Sequence, residues 1–257
     1  MYKRKYKDLN YITNVSYKNN LKKLLIFPGL GCEALEYSFL FKLKNLKYQI
    51  IIFELPGHNN LICNLRDDYL LSFSKKINSF LNFKKIKKFS VYTHSMSGII
   101  PILLVRFFSR SFVIKNFLNN EGNLIESDSS IVTRKTVSYD LDFYKETGFF
   151  NFISLCNESS DKSIKNWSLS LRKLKAEDFY FYCKSSFMWS KKNILLSSYK
   201  NVFKKKNYIF GANSKNLDLL KSIYGMKKTC LLKSGHFSYL YNNKIFTNIL
   251  IKSLIGN

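Results

Sequence analysis

The run Phe89-Ser90-Val91-Tyr92-Thr93-His94-Ser95-Met96-Ser97-Gly98, continued by apolar residues to about Phe108, constrains this chain more than any other stretch. It reads as a β-strand, a turn too tight for ordinary residues, and a buried helix. Ser95 sits at the turn. The small residues Thr93, Ser97 and Gly98 flank it, where a large side chain would clash with a neighbouring strand or helix. Such a turn holds a hydroxyl out of the sheet and aims the first backbone N–H groups of the helix at the same point. A serine so placed can act only with partners that the rest of the chain supplies.

Three further short apolar runs read as buried strands: Leu24–Phe27, Ile50–Phe53 and Phe112–Leu118. The first two are stopped by Pro-Gly, at Pro28-Gly29 and Pro56-Gly57. Helix-like spacing lies between them, with Leu35, Phe39, Leu40 and Leu43 facing inward in one segment. In another, from about Asp67 to Phe83, Leu70, Leu71, Phe73, Ile77, Phe80 and Leu81 face inward. Runs of this length alternating with helical patterns predict an α/β fold, a mainly parallel sheet with helices on both faces. Ahead of them, residues 1–20 are polar and basic, with one short edge strand expected at Tyr11–Val15.

From about 125 to 199 the strand runs disappear and aromatic-rich helical spacing takes over. The strand-helix rhythm returns with Asn207–Gly211, a helix near Leu217–Tyr224, Thr229–Leu232, the turn Ser234-Gly235-His236 and a last helix at about Asn243–Leu254. The expected division is a core at 1–124 and 200–257 with a helical cap at 125–199, inserted after the fourth buried strand.

A serine hydroxyl needs a base, and the base an orienting acid. There are three histidines. His94 adjoins Ser95 on the strand, so its side chain points to the opposite face. His58 follows the Pro56-Gly57 turn, where stabilising the loop is the commoner role. His236 follows the last strand. Ser95, Glu121 and His236 all stand at the C-terminal ends of predicted parallel strands, the edge at which such sheets bind ligands.

Thr93-His94-Ser95-Met96-Ser97-Gly98 resembles the nucleophile elbow of the α/β-hydrolase superfamily, G-x-S-x-G, with Thr93 and Ser97 in place of the two glycines. Phe27-Pro28-Gly29-Leu30-Gly31 is similar to its oxyanion loop, Glu54-Leu55-Pro56-Gly57-His58 to its Asp-x-Pro-Gly-His turn, and Gly235-His236 to its catalytic-histidine loop. The resemblance covers about 20–125 and 205–257, and the insertion is similar to the cap of many members. It implies Ser95 as nucleophile, His236 as base, and the backbone N–H groups of Leu30 and Met96 as oxyanion donors. The acid that many members carry after the strand following the cap is missing, since Gly211-Ala212-Asn213-Ser214 holds no carboxylate. Other members place it one strand earlier, which here is Glu121, with Asp128 in reserve; the other role open to Asp128 is as an N-cap.

What the resemblance implies is a serine hydrolase acting on a small-molecule carboxylic ester or thioester with an apolar moiety, through a Ser-His-Glu triad and an acyl-enzyme. The alternative is a non-catalytic binding protein that keeps the fold. No cofactor and no metal is expected, since no ligand cluster or phosphate loop stands in the sequence. The formal charge of +25 is discounted as a sign of nucleic acid, because the lysines are spread along the chain and no RNP, zinc-finger or helix-turn-helix signature accompanies them. Lysine runs such as 84–88 and 204–206 precede predicted strands and read as solvated loops. Five scattered cysteines without a C-x-x-C pair suggest reduced thiols and a cytoplasmic protein. No signal peptide and no membrane span is expected from the hydropathy.

Overall fold

The structure is a computed structural model that describes residues 1–16, 20–42, 47–65, 67–128, 131–214 and 216–255. Eight strands form one sheet in the order β1-β2-β4-β3-β5-β6-β7-β8. They are β1 Tyr2–Tyr6, β2 Leu9–Thr13, β3 Lys22–Phe27, β4 Tyr48–Phe53, β5 Lys88–His94, β6 Val113–Asn120, β7 Lys206–Gly211 and β8 Lys228–Leu231. The strands from β3 to β8 pair in parallel, and β1 and β2 form an antiparallel hairpin whose β2 pairs with β4.

Strands covered on both faces should be apolar at consecutive positions, with alternate residues feeding two cores. That is what β3 and β4 do. Leu25, Phe27, Ile51 and Phe53 join the core that holds α1 (Tyr69–Phe83) and α2 (Ile99–Phe108). Leu24, Ile26, Ile50 and Ile52 join a second core on the other face, with the last helix. Between β6 and β7 the chain is helical: α3 Ile131–Ser138, α4 Leu141–Phe143, a π-helical turn, α5 Phe149–Asn157, α6 Lys162–Leu171, α7 Ala176–Ser190 and α8 Ile194–Asn201. No described residue there is in a strand. Its buried aromatics, Tyr144, Phe149, Phe179 and Tyr182, are continuous with the core over α1 and α2. The fold closes with α9 Leu217–Ser222, α10 Ser238–Tyr241 and α11 Asn243–Ile255.

Two elements differ from the sequence reading. The segment after β3 is a 3-10 helix, Ala34–Lys42, not an α-helix. Its fully buried residues Ala34, Tyr37 and Leu40 recur every third position, the period of a 3-10 helix, while Leu35 is exposed and Leu43 lies outside the described residues. The N-terminus contributes a whole strand, β1, beyond the expected edge strand, which itself runs Leu9–Thr13 instead of Tyr11–Val15. Residues Tyr2–Lys5 of β1 are exposed, so no apolar alternation marks the strand. All five cysteines are free. Among the described residues, no helix is long and apolar enough to cross a membrane.

Asp68 joins core to insertion. It is the N-cap of α1, with Oδ1 accepting from Leu71 N–H at 3.2 Å. The same carboxylate accepts from the Ser185 hydroxyl and, at 2.6 Å, from the Trp189 indole N–H, both on α7. Asp68→Ala therefore leaves three donors without their acceptor. It should destabilise the protein by about 2–4 kcal/mol in urea unfolding, with Asp68→Asn losing less because one carbonyl oxygen remains to cap the helix.

Candidate active site

His94 and Asn120 are the last paired residues of β5 and β6. The next residue in each strand, Ser95 and Glu121, has a positive φ, 53° and 49°. Neither is glycine, so both carry local strain that surrounding packing must hold. At Ser95 the packing is visible. The chain enters the 3-10 turn Ser95–Gly98 and then α2. A Cβ on Gly98 would come within 2.8 Å of the backbone of Gly122, so only glycine lets the elbow pack on the turn that follows Glu121.

Thr93 and Ser97, which stand where the pattern G-x-S-x-G has glycine, each make a hydrogen bond. The Thr93 hydroxyl donates to Asn119 Oδ1 at 2.9 Å, tying β5 to β6. The Ser97 hydroxyl donates to the Pro28 carbonyl, tying the elbow to the loop after β3.

Ser95, His236 and Glu121 meet in one line. His236 Nε2 lies 2.9 Å from Ser95 Oγ, and His236 Nδ1 lies 2.7 Å from Glu121 Oε2. With the carboxylate on Nδ1, the imidazole carries its proton there and presents Nε2 to the serine as acceptor. Glu121 is buried, while the His236 side chain is 38% exposed. The other carboxylate oxygen of Glu121 accepts from Gly211 N–H at 2.7 Å and from the Ser214 hydroxyl. The loop after β7, which has no carboxylate of its own, thus supplies two donors that orient Glu121. Asp128 ends a 3-10 turn, Glu126–Asp128, and its side chain lies outside the described residues.

The other two histidines fix backbone. His94 is fully buried on the opposite face from Ser95, as its strand position requires. Its Nδ1 accepts from the Tyr37 hydroxyl at 3.0 Å, which leaves Nε2–H to donate to the His236 carbonyl, also at 3.0 Å. Burial pushes its pKa well below the usual value, and the nearby His236 adds to this, so the ring stays neutral. His58 accepts from Gly31 N–H at 2.9 Å through Nε2, and its Nδ1–H points to the Pro56 carbonyl at 3.3 Å. Burial lowers its pKa to about 4.

Gly31 N–H belongs to the Leu30–Gly31 peptide unit. The carbonyl of the same unit, Leu30 O, accepts from the Trp167 indole N–H on α6 at 2.9 Å. One peptide is therefore held at its N–H by the core and at its C=O by the insertion. Gly31 has φ 75°, and a Cβ there would strike Trp167 and Leu171. Leu30 itself lies in the loop that Ser97 ties to the elbow, and Met96 follows Ser95 in the first turn, where helical N–H groups have no intrahelical acceptor. Trp167 packs toward Phe152 and Phe237, each at 5.5 Å between ring centroids, beside the loop that carries His236. The role of Trp167 was not readable in sequence, because nothing in helical spacing says which insertion aromatic reaches across to the sheet.

No family model matches the sequence, and no curated protein does. Solved structures do resemble the fold. A carboxylesterase structure from Nitrososphaera gargenis superposes with a TM-score of 0.74 at 15% identity, covering 96% of this chain and 94% of that one. An enol-lactonase from Burkholderia xenovorans gives 0.76 at 12% identity, with 96% of each chain covered. A hydrolase from Oleispira antarctica gives 0.74 at 13%, covering 96% and 94%. The fold is that of the α/β-hydrolases. Within it, the parallel strands β3–β8, the elbow after β5 and the helical insertion after β6 fall where the α/β-hydrolase resemblance of the sequence led one to expect them.

His58 gives the site a measurable pH signature. An unfolded histidine titrates near 6.5, and this one, folded, near 4. Between those values the unfolded state binds a proton that the folded state does not, so stability falls as pH drops from about 6.5 to 4. The loss is about 3 kcal/mol when complete. Buried Glu54, raised to about 8 by burial, contributes a slope of opposite sign over pH 4.5 to 8. The reading is therefore the difference between wild type and His58→Gln: wild type should lose about 3 kcal/mol relative to the variant across that window, in urea unfolding at successive pH values.

Proposed function

We propose that this protein is a serine hydrolase that cleaves a carboxylic ester or thioester, with Ser95 as nucleophile, His236 as general base and acid, and Glu121 as the orienting acid. The observation that carries the reading is the hydrogen-bonded line from Ser95 Oγ through His236 to Glu121. His236 Nε2 takes the hydroxyl proton as Ser95 attacks the acyl carbon. The negative charge that develops on the carbonyl oxygen is received by the N–H groups of Leu30 and Met96. The imidazolium, steadied by Glu121, then returns its proton to the departing alcohol or thiol, leaving an acyl-enzyme. Water activated by the same histidine releases the acid.

Aromatic neighbours of the oxyanion loop, Trp167, Phe152 and Phe237, suit an apolar acyl or alcohol moiety. The named activities of the structural neighbours, carboxylesterase and enol-lactonase, are of the same acyl-ester kind. In this reading 1–124 and 200–257 form the hydrolase core and 125–199 a cap over the site. The non-catalytic alternative drew its support from the missing carboxylate after Gly211. That support weakens where Gly211 and Ser214 instead bind the Glu121 carboxylate.

A fluorophosphonate probe separates the two readings. Wild type should be labelled at Ser95 and Ser95→Ala should not, with turnover of ester substrates falling in parallel to a residual rate roughly 10³–10⁴ above water. An unlabelled wild type, or an active Ser95→Ala, would place the chemistry elsewhere. For Glu121→Gln, kcat should drop by about 10⁴ with KM little changed, by analogy with the Asp-to-Asn change in other triads. A variant that loses only melting temperature would reduce Glu121 to a loop-stabilising residue.

A further inference from the structure

The lysine runs that look scattered along the sequence are gathered by the topology. In a parallel sheet every strand begins at the same edge; β5 and β6 start level there, β7 starts opposite the middle of β6, and β8 starts opposite the third residue of β7. Lys88 pairs with Val113, Phe117 with Lys206, and Tyr208 with Lys228. The backbone continues the pairing one residue further out, with Val113 N–H on Lys87 O, Phe117 N–H on Lys205 O and Tyr208 N–H on Lys227 O. Lys87, Lys88, Lys204, Lys205 and Lys227 are exposed. This edge is opposite the one that carries Ser95.

The segments that carry it are poor in acidic residues. No Asp or Glu occurs from Tyr69 to Asn120, and only Asp218 occurs from Phe179 to Asn257. The insertion, by contrast, carries Asp140, Asp142, Glu146, Glu158, Asp161 and Glu177 among its lysines. A uniform lysine bias would raise positive charge everywhere; it does not leave long segments almost free of carboxylates. Between the strand starts lies a groove of about 550 Å³, lined by Lys204, Lys205, Lys206 and Lys227 together with Asn116 and Asn207. Val202 at 48% and Tyr224 at 89%, close in sequence to lining residues, are exposed, as is Val113 at 50% at the start of β6.

We propose that this edge is a docking face for an anionic phospholipid bilayer, with headgroup phosphates received in the lysine-lined groove and Val113, Val202 and Tyr224 entering the interface. Two features favour a bilayer over a nucleic acid. The cations lining the groove are lysines, point charges suited to a diffuse anionic surface; Arg110, in the turn before β6, is not among the lining residues. The apolar residues include valines, which cannot stack on bases, and a tyrosine, which suits the membrane–water boundary. Docked this way, the protein would hold the Ser95 edge toward the aqueous phase. The inference stands independently of the proposed hydrolase chemistry.

The test is flotation of the full chain with vesicles of phosphatidylcholine alone and of phosphatidylcholine with phosphatidylserine. It compares wild type with Lys204→Glu/Lys205→Glu/Lys227→Glu and with a control of equal charge change on the insertion, Lys135→Glu/Lys145→Glu/Lys165→Glu. Far-UV circular dichroism and melting establish that both variants are folded, and salt titration of wild type gives a readout that needs no variant. The expected result is binding to the anionic vesicles only, released by high salt, weakened about a hundredfold in the edge variant and unchanged in the control. Equal weakening in both variants would reduce the effect to net charge and overturn the proposal. So would wild-type binding that ignores phosphatidylserine or salt, absence of binding, or tighter binding to a DNA duplex than to the anionic vesicles at the same ionic strength.

Discussion

The register between β5 and β6 decides the site. With His94 opposite Asn120, the two strands leave the sheet at the same level, and each does so through a residue of positive φ. Ser95 and Glu121 are thereby presented from neighbouring strand ends to the same loop after β8. A slip of one residue would turn His94, whose ring lies on the far face, into the exposed position and bury the hydroxyl. The devices around this register all act to keep it: the Thr93–Asn119 hydrogen bond, the close approach of Gly98 to Gly122, and the Ser97 bond to Pro28. Two of these come from Thr93 and Ser97, the residues that stand where the pattern G-x-S-x-G has glycine.

The three histidines divide the remaining work by environment. His236 stays partly open to solvent between a hydroxyl and a carboxylate. His94 and His58 are buried and kept neutral, and a neutral imidazole offers one donor and one acceptor. Each is used to hold backbone: His94 the carbonyl of His236, His58 the N–H of Gly31. Both loops of the site, the one with His236 and the one after β3, are thus anchored from below by rings that burial keeps neutral.

Much of this was legible in the sequence. The buried strands announce themselves because both faces of the sheet are covered, so Leu24–Phe27 and Ile50–Phe53 are uninterrupted apolar runs. The serine turn is legible because only small residues fit around it. What escaped had no periodic signature. The strand β1 exposes nearly all its side chains, so only its pairing makes it a strand. The helix after β3 follows a three-residue burial period too short to distinguish from an α-helical stripe without knowing that Tyr37 reaches His94. The bonds from Trp167 to Leu30 and from Ser214 to Glu121 join residues 137 and 93 positions apart, and no local pattern encodes them. The gathering of lysines is of the same kind: it is a property of strand order.

The Leu30–Gly31 peptide carries a further consequence. Its N–H is gripped by the sheet side and its C=O by an indole from the helical insertion. Any swing of α6 away from the sheet withdraws the grip on the carbonyl, and the peptide plane is then free to rotate about its remaining contact. The loop after β3 thus depends on the insertion for one of the two grips on this peptide.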